Sequence, residues 1–280
     1  MTSAKSTKTI DKITNAIGGK AELAPLFLGP EAEINVFVHG YRAVSGKDQF
    51  QKLANYVLAA QPPGKVYLLF WKSGDWRLPV LSQTVFTLSR TAWGIFRRGR
   101  LFSPLSLLTN AVMFAAGEIA SFSYFERQSE KLGRNLKIFL DSIPGIKTMP
   151  VNLIGHSFGA RVIHFGLSHD DLSSYGIKDV ILLGGAADVY SDTWEYCLTQ
   201  IEGTLYNAYS KRDLALQITP DLRKRVGRHP LQLDSDRVVN RHYRSFGHTD
   251  YWPKLGYLLN RLWPDFKPSP HVAIDPPDPQ

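Results

Sequence analysis

"VNLIGHSFGARVIHFGL", residues 151–167, sets one serine between two glycines, directly after an apolar run and directly before a helical pattern. Small residues on both sides of Ser157 suit a turn from strand to helix too tight for large neighbours. Such a turn lifts the serine oxygen clear of the backbone. A serine hydroxyl is a poor nucleophile at neutral pH, so it needs a base to take its proton. It also needs donors for the negative charge that forms on an attacked carbonyl. The rest of the chain is therefore read for a base, an acid to orient it, and two backbone donors.

Strand-like and helix-like runs alternate on either side of this stretch. "INVFVHG" (34–40), "KVYLLFW" (65–71), "VNLIG" (151–155), "DVILLGG" (179–185), "TLYNAYS" (204–210) and the weaker "DRVVNRHYRS" (236–245) read as strands. Residues 48–60 carry apolar side chains at a helical period, and helical stretches are expected near 159–168, 192–201, 211–225 and 250–263. Continuous apolar strands separated by helices predict a mostly parallel sheet with helices on both faces. Ligands in such sheets sit beyond the carboxyl ends of the strands. Those positions hold His39-Gly40-Tyr41, Lys72–Asp75, Ser157, Asp188, Asp213 and His248.

Gly155-His156-Ser157-Phe158-Gly159 is a G-x-S-x-G elbow, whose partners follow in the order acid, then histidine. Asp213 ends "TLYNAYSKRD", and His248 follows Gly247 in "YRSFGHTDYW". His248 is expected to accept the Ser157 proton and Asp213 to orient the imidazole. Asp188 is the rival acid, and both aspartates could instead cap a following helix. His242 is the rival base but lies within a strand-like run. His229 sits in a basic loop, and His164 and His169 ride the helix behind Ser157. The oxyanion donors are expected from the backbone of Phe158 and, after "FVHG", of Tyr41. Gly40 admits a close backbone approach, and His39 and Gly40 are assigned to the substrate-binding edge.

The chain's 280 residues, 44% hydrophobic, can bury one large α/β core, and one cysteine excludes an internal disulfide. The spacing of that cysteine and eight histidines fits no zinc site, and no cofactor is expected. Net charge is +8, which suits an anionic surface, yet the basic residues are dispersed and carry no nucleic-acid recognition motif. An insert at about 76–125 interrupts the alternation. From Pro79 to Ala116 it has four arginines (Arg90, Arg97, Arg98, Arg100) and no acidic residue, with Phe86, Trp93 and Phe96 interleaved. It is expected to form a helical lid or cap, either opening at an anionic lipid surface or closing a pocket for a small soluble ester. Its apolar part, 101–117, is too short and interrupted for a membrane span. The polar, basic N-terminus lacks the apolar core of a secretory signal, so a cytoplasmic protein, or one exported without such a signal, is expected, with peripheral membrane association open. The divisions are an extension 1–33, a domain 34–263 containing the insert, and a proline-rich tail 264–280.

"VNLIGHSFGARVI", "DVILLGGAADVYSDTW", "LYNAYSKRD" and "GHTDYW" together resemble the hydrolase domain of the transmembrane-and-coiled-coil-domain-containing proteins, a branch of the α/β-hydrolase superfamily. "FVHGYR" resembles the His-Gly oxyanion segment of many lipases and esterases. The resemblance spans roughly 34–263 and implies an α/β-hydrolase fold with Ser157, Asp213 and His248 as the catalytic triad. It implies a serine hydrolase of carboxylic esters, lipase- or phospholipase-like. The alternative is a non-catalytic protein of this fold that binds a partner or membrane through its insert. Retention of all three triad residues favours the enzyme.

Overall fold

The computed structural model describes residues 21–30, 32–40, 47–71, 73, 122–190, 192–217, 221 and 223–269. Seven strands form one sheet: β1 (Ala21–Leu28), β2 (Ile34–Val38), β3 (Lys65–Trp71), β4 (Val151–His156), β5 (Ile177–Leu183), β6 (Leu205–Tyr209) and β7 (Val238–His242). Their order is β1-β3-β2-β4-β5-β6-β7. β1 pairs antiparallel with β3, and every later pairing is parallel. The helices are α1 (Lys47–Ala59), α2 (Leu136–Asp141), α3 (Phe158–His169), α4 (Trp194–Thr199), the single turn α5 (Leu214–Gln217) and α6 (Leu255–Leu262). A further helical stretch, 122–133, precedes α2.

The period-2 alternation of each strand sends side chains into two cores. Val36, Val38, Leu153, Val180 and Leu182 share one core with Leu136 and Phe139 of α2, Val162 and Ile163 of α3, and Cys197 of α4. Phe37, Leu68, Ile154, Ile181 and Leu183 share the other with Leu53 and Val57 of α1 and Leu255, Leu258 and Leu259 of α6. A sheet covered on both faces buries its strands on both sides, and β2 and β4 are buried throughout, their Asn35 and Asn152 hydrogen-bonded to each other. The result is an α/β-hydrolase fold. Because β2 and β4–β7 run parallel, the residues that follow them all emerge along one edge of the sheet.

Several features differ from the sequence reading: α2 and the part of the stretch 122–133 beyond the insert are helical where no helix was placed. Ala21–Leu28, counted there in the extension 1–33, is the antiparallel edge strand β1. Pro25 interrupts its pattern, and the register slips between Pro25 and Phe27. A proline is tolerated at an edge, where one side of the strand needs no ladder donor, but it hides the strand from a periodicity reading. Of the helix expected over 211–225, Leu214–Gln217 is helical and residues 218–220 and 222 lie outside the described residues, while Arg225 pairs with Asp188 in an isolated bridge. Most of the insert, including its four arginines, lies outside the described residues. So do the extension up to residue 20 and the tail from residue 270.

Candidate active site

β4 ends at His156, and α3 starts at Phe158, so the chain turns at a single residue. Ser157 makes that turn with φ 55° and ψ −120°. A non-glycine residue there carries on the order of 1–3 kcal/mol of strain. The surrounding backbone holds it: the Ser157 N–H donates to Leu183 (3.1 Å), and its carbonyl accepts from Ala160 (3.1 Å) and Ala186 (2.9 Å). Gly159 passes so close to β2 that a Cβ would stand 1.9 Å from the Val38 carbonyl oxygen. A Cβ on Gly40 would stand 2.4 Å from Ser157 Cβ and 2.9 Å from its Oγ. These contacts are the physical content of the small residues around the serine.

Asp213 and His248 meet Ser157 from two further loops. His248 Nδ1 lies 2.7 Å from Asp213 Oδ2, and His248 Nε2 lies 2.9 Å from Ser157 Oγ. A carboxylate only accepts, so Nδ1 carries the hydrogen and donates to Asp213. Nε2 is then bare and accepts from the Ser157 hydroxyl. Asp213 is fully buried, and its other oxygen, Oδ1, accepts the Leu216 N–H at 3.1 Å, capping α5. One carboxylate oxygen thus caps α5 and the other meets the His248 imidazole.

The loop that carries His248 is tied at several points. Tyr243 N–H donates to the Tyr209 carbonyl at 2.8 Å, and Ser210 Oγ donates to the Phe246 carbonyl at 2.6 Å. Gly247 N–H donates to Asp250 Oδ2 at 2.7 Å, a bond that lowers the Asp250 pKa. His156 Nε2 lies 3.0 Å from the His248 carbonyl. That carbonyl can only accept, so His156 donates.

The rival residues are engaged elsewhere. Asp188 Oδ1 accepts the Tyr190 N–H at 3.0 Å, its carbonyl accepts Trp194 Nε1–H at 2.8 Å, and its other oxygen faces Arg223 at 4.0 Å. His242 is exposed on β7 and stacks on Tyr209, with ring centroids 5.0 Å apart. His164 hydrogen-bonds Thr193 Oγ1 at 2.9 Å behind α3, and His169 pairs with Arg134 at 3.2 Å. His229 is half-buried in its loop.

The expected oxyanion and substrate-binding residues divide. Phe158 directly follows Ser157 as the first residue of α3. Tyr41 lies outside the described residues. His39 corrects the sequence reading, because it is fully buried and both its ring nitrogens are used. Nε2 accepts the Trp71 backbone N–H at 3.0 Å, so Nδ1 bears the hydrogen and donates to the Gly40 carbonyl at 2.9 Å. Its ring stacks on Trp71 at 5.8 Å, and burial lowers its pKa to about 4. His39 therefore clamps the end of β2 to the end of β3 and does not face substrate; Gly40 keeps its place against Ser157. His156 and Trp71 are the positions the motif reading passed over. The signal for His39 was a histidine ending an apolar strand, a position where burial competes with function.

An ionic cluster supports the site from behind. Arg225 is fully buried; its Nη1 donates to the Ala186 carbonyl at 3.0 Å, and its Nη2 pairs with Glu126 at 2.9 Å and with Asp221. Arg161, on α3, reaches the same Glu126 at 3.7 Å and Glu130 at 3.4 Å. Glu126 belongs to the helical stretch 122–133, whose Phe122 packs on Phe158 with centroids 5.0 Å apart. The residues that follow the insert are thereby joined to α3.

Comparison with known proteins places these features. The chain is 30% identical over 164 residues to the transmembrane and coiled-coil domain-containing protein STS1 of Oryza sativa subsp. japonica, covering 55% of this chain and 24% of that protein. It is 33% identical over 132 residues to an uncharacterized membrane protein of Caenorhabditis elegans, covering 44% and 21%. The chain thus spans about a quarter of the length of these relatives. Among solved structures it is similar to a predicted CIB-like hydrolase of Thermoplasma acidophilum (TM-score 0.44, 11% identity, 87% of this chain and 90% of that one). It is also similar to acyl-protein thioesterase 2 of Zea mays (TM-score 0.38, 12% identity, 87% and 98%). Residues 6–263 match the family described as "Protein of unknown function (DUF726)", and the chain belongs to that family.

Proposed function

We propose that this protein is a serine hydrolase of carboxylic esters. Ser157 is the nucleophile, His248 the general base and then acid, and Asp213 the group that fixes the imidazole tautomer. The observation that supports this reading is the continuous chain of hydrogen bonds Ser157 Oγ–His248–Asp213, at 2.9 and 2.7 Å. In the first step the Ser157 oxygen attacks the acyl carbon, and its proton passes to His248 Nε2. Asp213 faces the imidazolium that forms. The oxyanion is received by the Phe158 N–H and a second donor on the loop after β2, for which Tyr41 is the candidate. His248 then gives its proton to the departing alcohol. In the second half, water attacks the acyl-enzyme, giving its proton to the same nitrogen, and Ser157 is released.

We further propose a lipid-borne ester, taken at or near a membrane. The basic, aromatic composition of the insert and the membrane proteins among the relatives support this extension. No helix among the described residues is long and apolar enough to cross a bilayer.

The test is labelling with a fluorophosphonate probe, followed by turnover of p-nitrophenyl esters of rising acyl length. Ser157-dependent labelling and hydrolysis are expected, with rates rising toward long chains. Labelling that survives Ser157→Ala would remove the nucleophile assignment. A preference for acetyl over long chains would remove the lipid extension and leave the esterase.

A further inference from the structure

His156 occupies the variable position before the serine in the G-x-S-x-G elbow, and its contacts are not those of a filler residue. It is the last residue of β4 and is 6% exposed. The elbow turns Ser157 toward the reaction edge, while the His156 ring enters the core shared with α6. There it meets Tyr251 at 5.5 Å, Trp252 at 5.6 Å and the His248 ring at 4.9 Å. Its Nε2–H donates to the backbone carbonyl of His248 at 3.0 Å.

Two consecutive residues of β4 and the elbow therefore hold the same histidine at two places. His156 holds the His248 main chain, and Ser157 meets the His248 side chain at 2.9 Å. The path from Ser157 Oγ through the backbone to His156 Nε2, across to the His248 carbonyl, and out along the imidazole closes on itself. A slip of the 247–252 loop relative to β4 strains the His156 bond together with the Ser157–His248 contact. We infer that His156 is a positioning residue, whose Nε2–H sets the distance between the His248 imidazole and the nucleophile. This role rests on the ester-hydrolase reading above.

The charge state of His156 suits the role. Burial, and after it the neighbouring His248, hold the His156 pKa well below 6.5. The bond from Nε2–H to the carbonyl is therefore made by a neutral ring. No second positive charge then opposes the imidazolium that His248 becomes during acyl transfer. Among the described residues, ionisable groups around the pair include Asp213 on the far side of His248, Asp250 on the Gly247 N–H, Tyr251 from the loop before α6, and His39, which is itself held neutral by burial.

The experiment compares His156→Gln, His156→Asn and His156→Phe with the wild type. Glutamine can carry an N–H to the place of Nε2, asparagine is too short to do so, and phenylalanine keeps the ring without the donor. A misplacement of about 1 Å costs on the order of 10²-fold in rate. His156→Phe and His156→Asn are expected to lose roughly that in kcat, with KM changed by less than about threefold, and His156→Gln to regain most of it. Melting temperatures are measured alongside, because a purely structural role would lower stability in step with the lost packing and leave kcat per folded molecule unchanged. Equal kcat in the Gln and Asn variants, or wild-type kcat in the Phe variant, overturns the positioning role. Fluorophosphonate labelling separates the two levels. A wild type without Ser157-dependent label overturns the hydrolase reading and this role with it. A labelled wild type matched in labelling rate by His156→Asn overturns the role alone.

Discussion

Ser157 stands in a backbone conformation that costs folding energy, and three backbone hydrogen bonds, with Leu183 at the end of β5, Ala186 just beyond it and Ala160 of α3, hold it there. That arrangement gives a serine one exposed task, since its N–H and carbonyl are committed and only Oγ is directed at another side chain. At Asp213 the two carboxylate oxygens are divided between a helix turn and an imidazole. Asp213→Asn would present an amide in place of the carboxylate, losing the preference for hydrogen on Nδ1. Its expected effect is a drop in kcat of about 10⁴-fold, measured by ester turnover. Asp188→Asn should leave kcat within a few-fold, because Asp188 bonds Tyr190 and Arg223 and not His248. The reverse ranking would move the acid role to Asp188. At this scale the sequence was informative about Ser157, Asp213 and His248, whose residue types suit the chemistry and whose order suits the fold. It was uninformative about His39, because the same histidine at a strand end can face solvent or a tryptophan.

At the scale of elements, the parallel strands determine where loops emerge, and the ionic cluster determines how the helical stretch 122–133 is joined to them. Glu126 stands between two arginines, one of them fully buried. Removing the partner of a buried charge costs about 3–5 kcal/mol, more than an exposed pair would. Glu126→Ala is therefore expected to destabilise by roughly that amount in urea unfolding. Asp265→Ala, which breaks the exposed pair with Lys178, should cost less than about 1 kcal/mol. Equal costs would mean that Glu126 is not held between buried cations. Six strands and most of the helices were legible as alternating apolar runs. β1 was not, because Pro25 and the register slip interrupt its period. The expected helix over 211–225 is described only over Leu214–Gln217, and at its far end Arg225 bridges to Asp188.

At the scale of the whole molecule, the interior holds several histidines in their neutral form. Burial lowers both His39 and His164 to about 4, from an ordinary 6.5. A group whose folded pKa is depressed contributes stability that is fully present above 6.5. That stability is lost as pH falls toward 4, because the unfolded chain takes up the proton first. At pH 5 each of the two is expected to have given up about 2 kcal/mol. Urea midpoints measured at pH 7.5 and pH 5 should fall accordingly. His39→Gln and His164→Gln should each flatten that dependence, and an unchanged slope would mean that these rings are reached by solvent. The sequence by itself determined the layered α/β architecture and the chemical candidates, because apolar periodicity and the geometry of a glycine-flanked elbow are local properties of the chain. Only the tertiary structure decided which acid meets His248, that His39 is a clamp, and that His156 grips the loop of His248. Those outcomes depend on distances between residues far apart in the chain, and parallel crossovers bring such residues together without leaving a local mark.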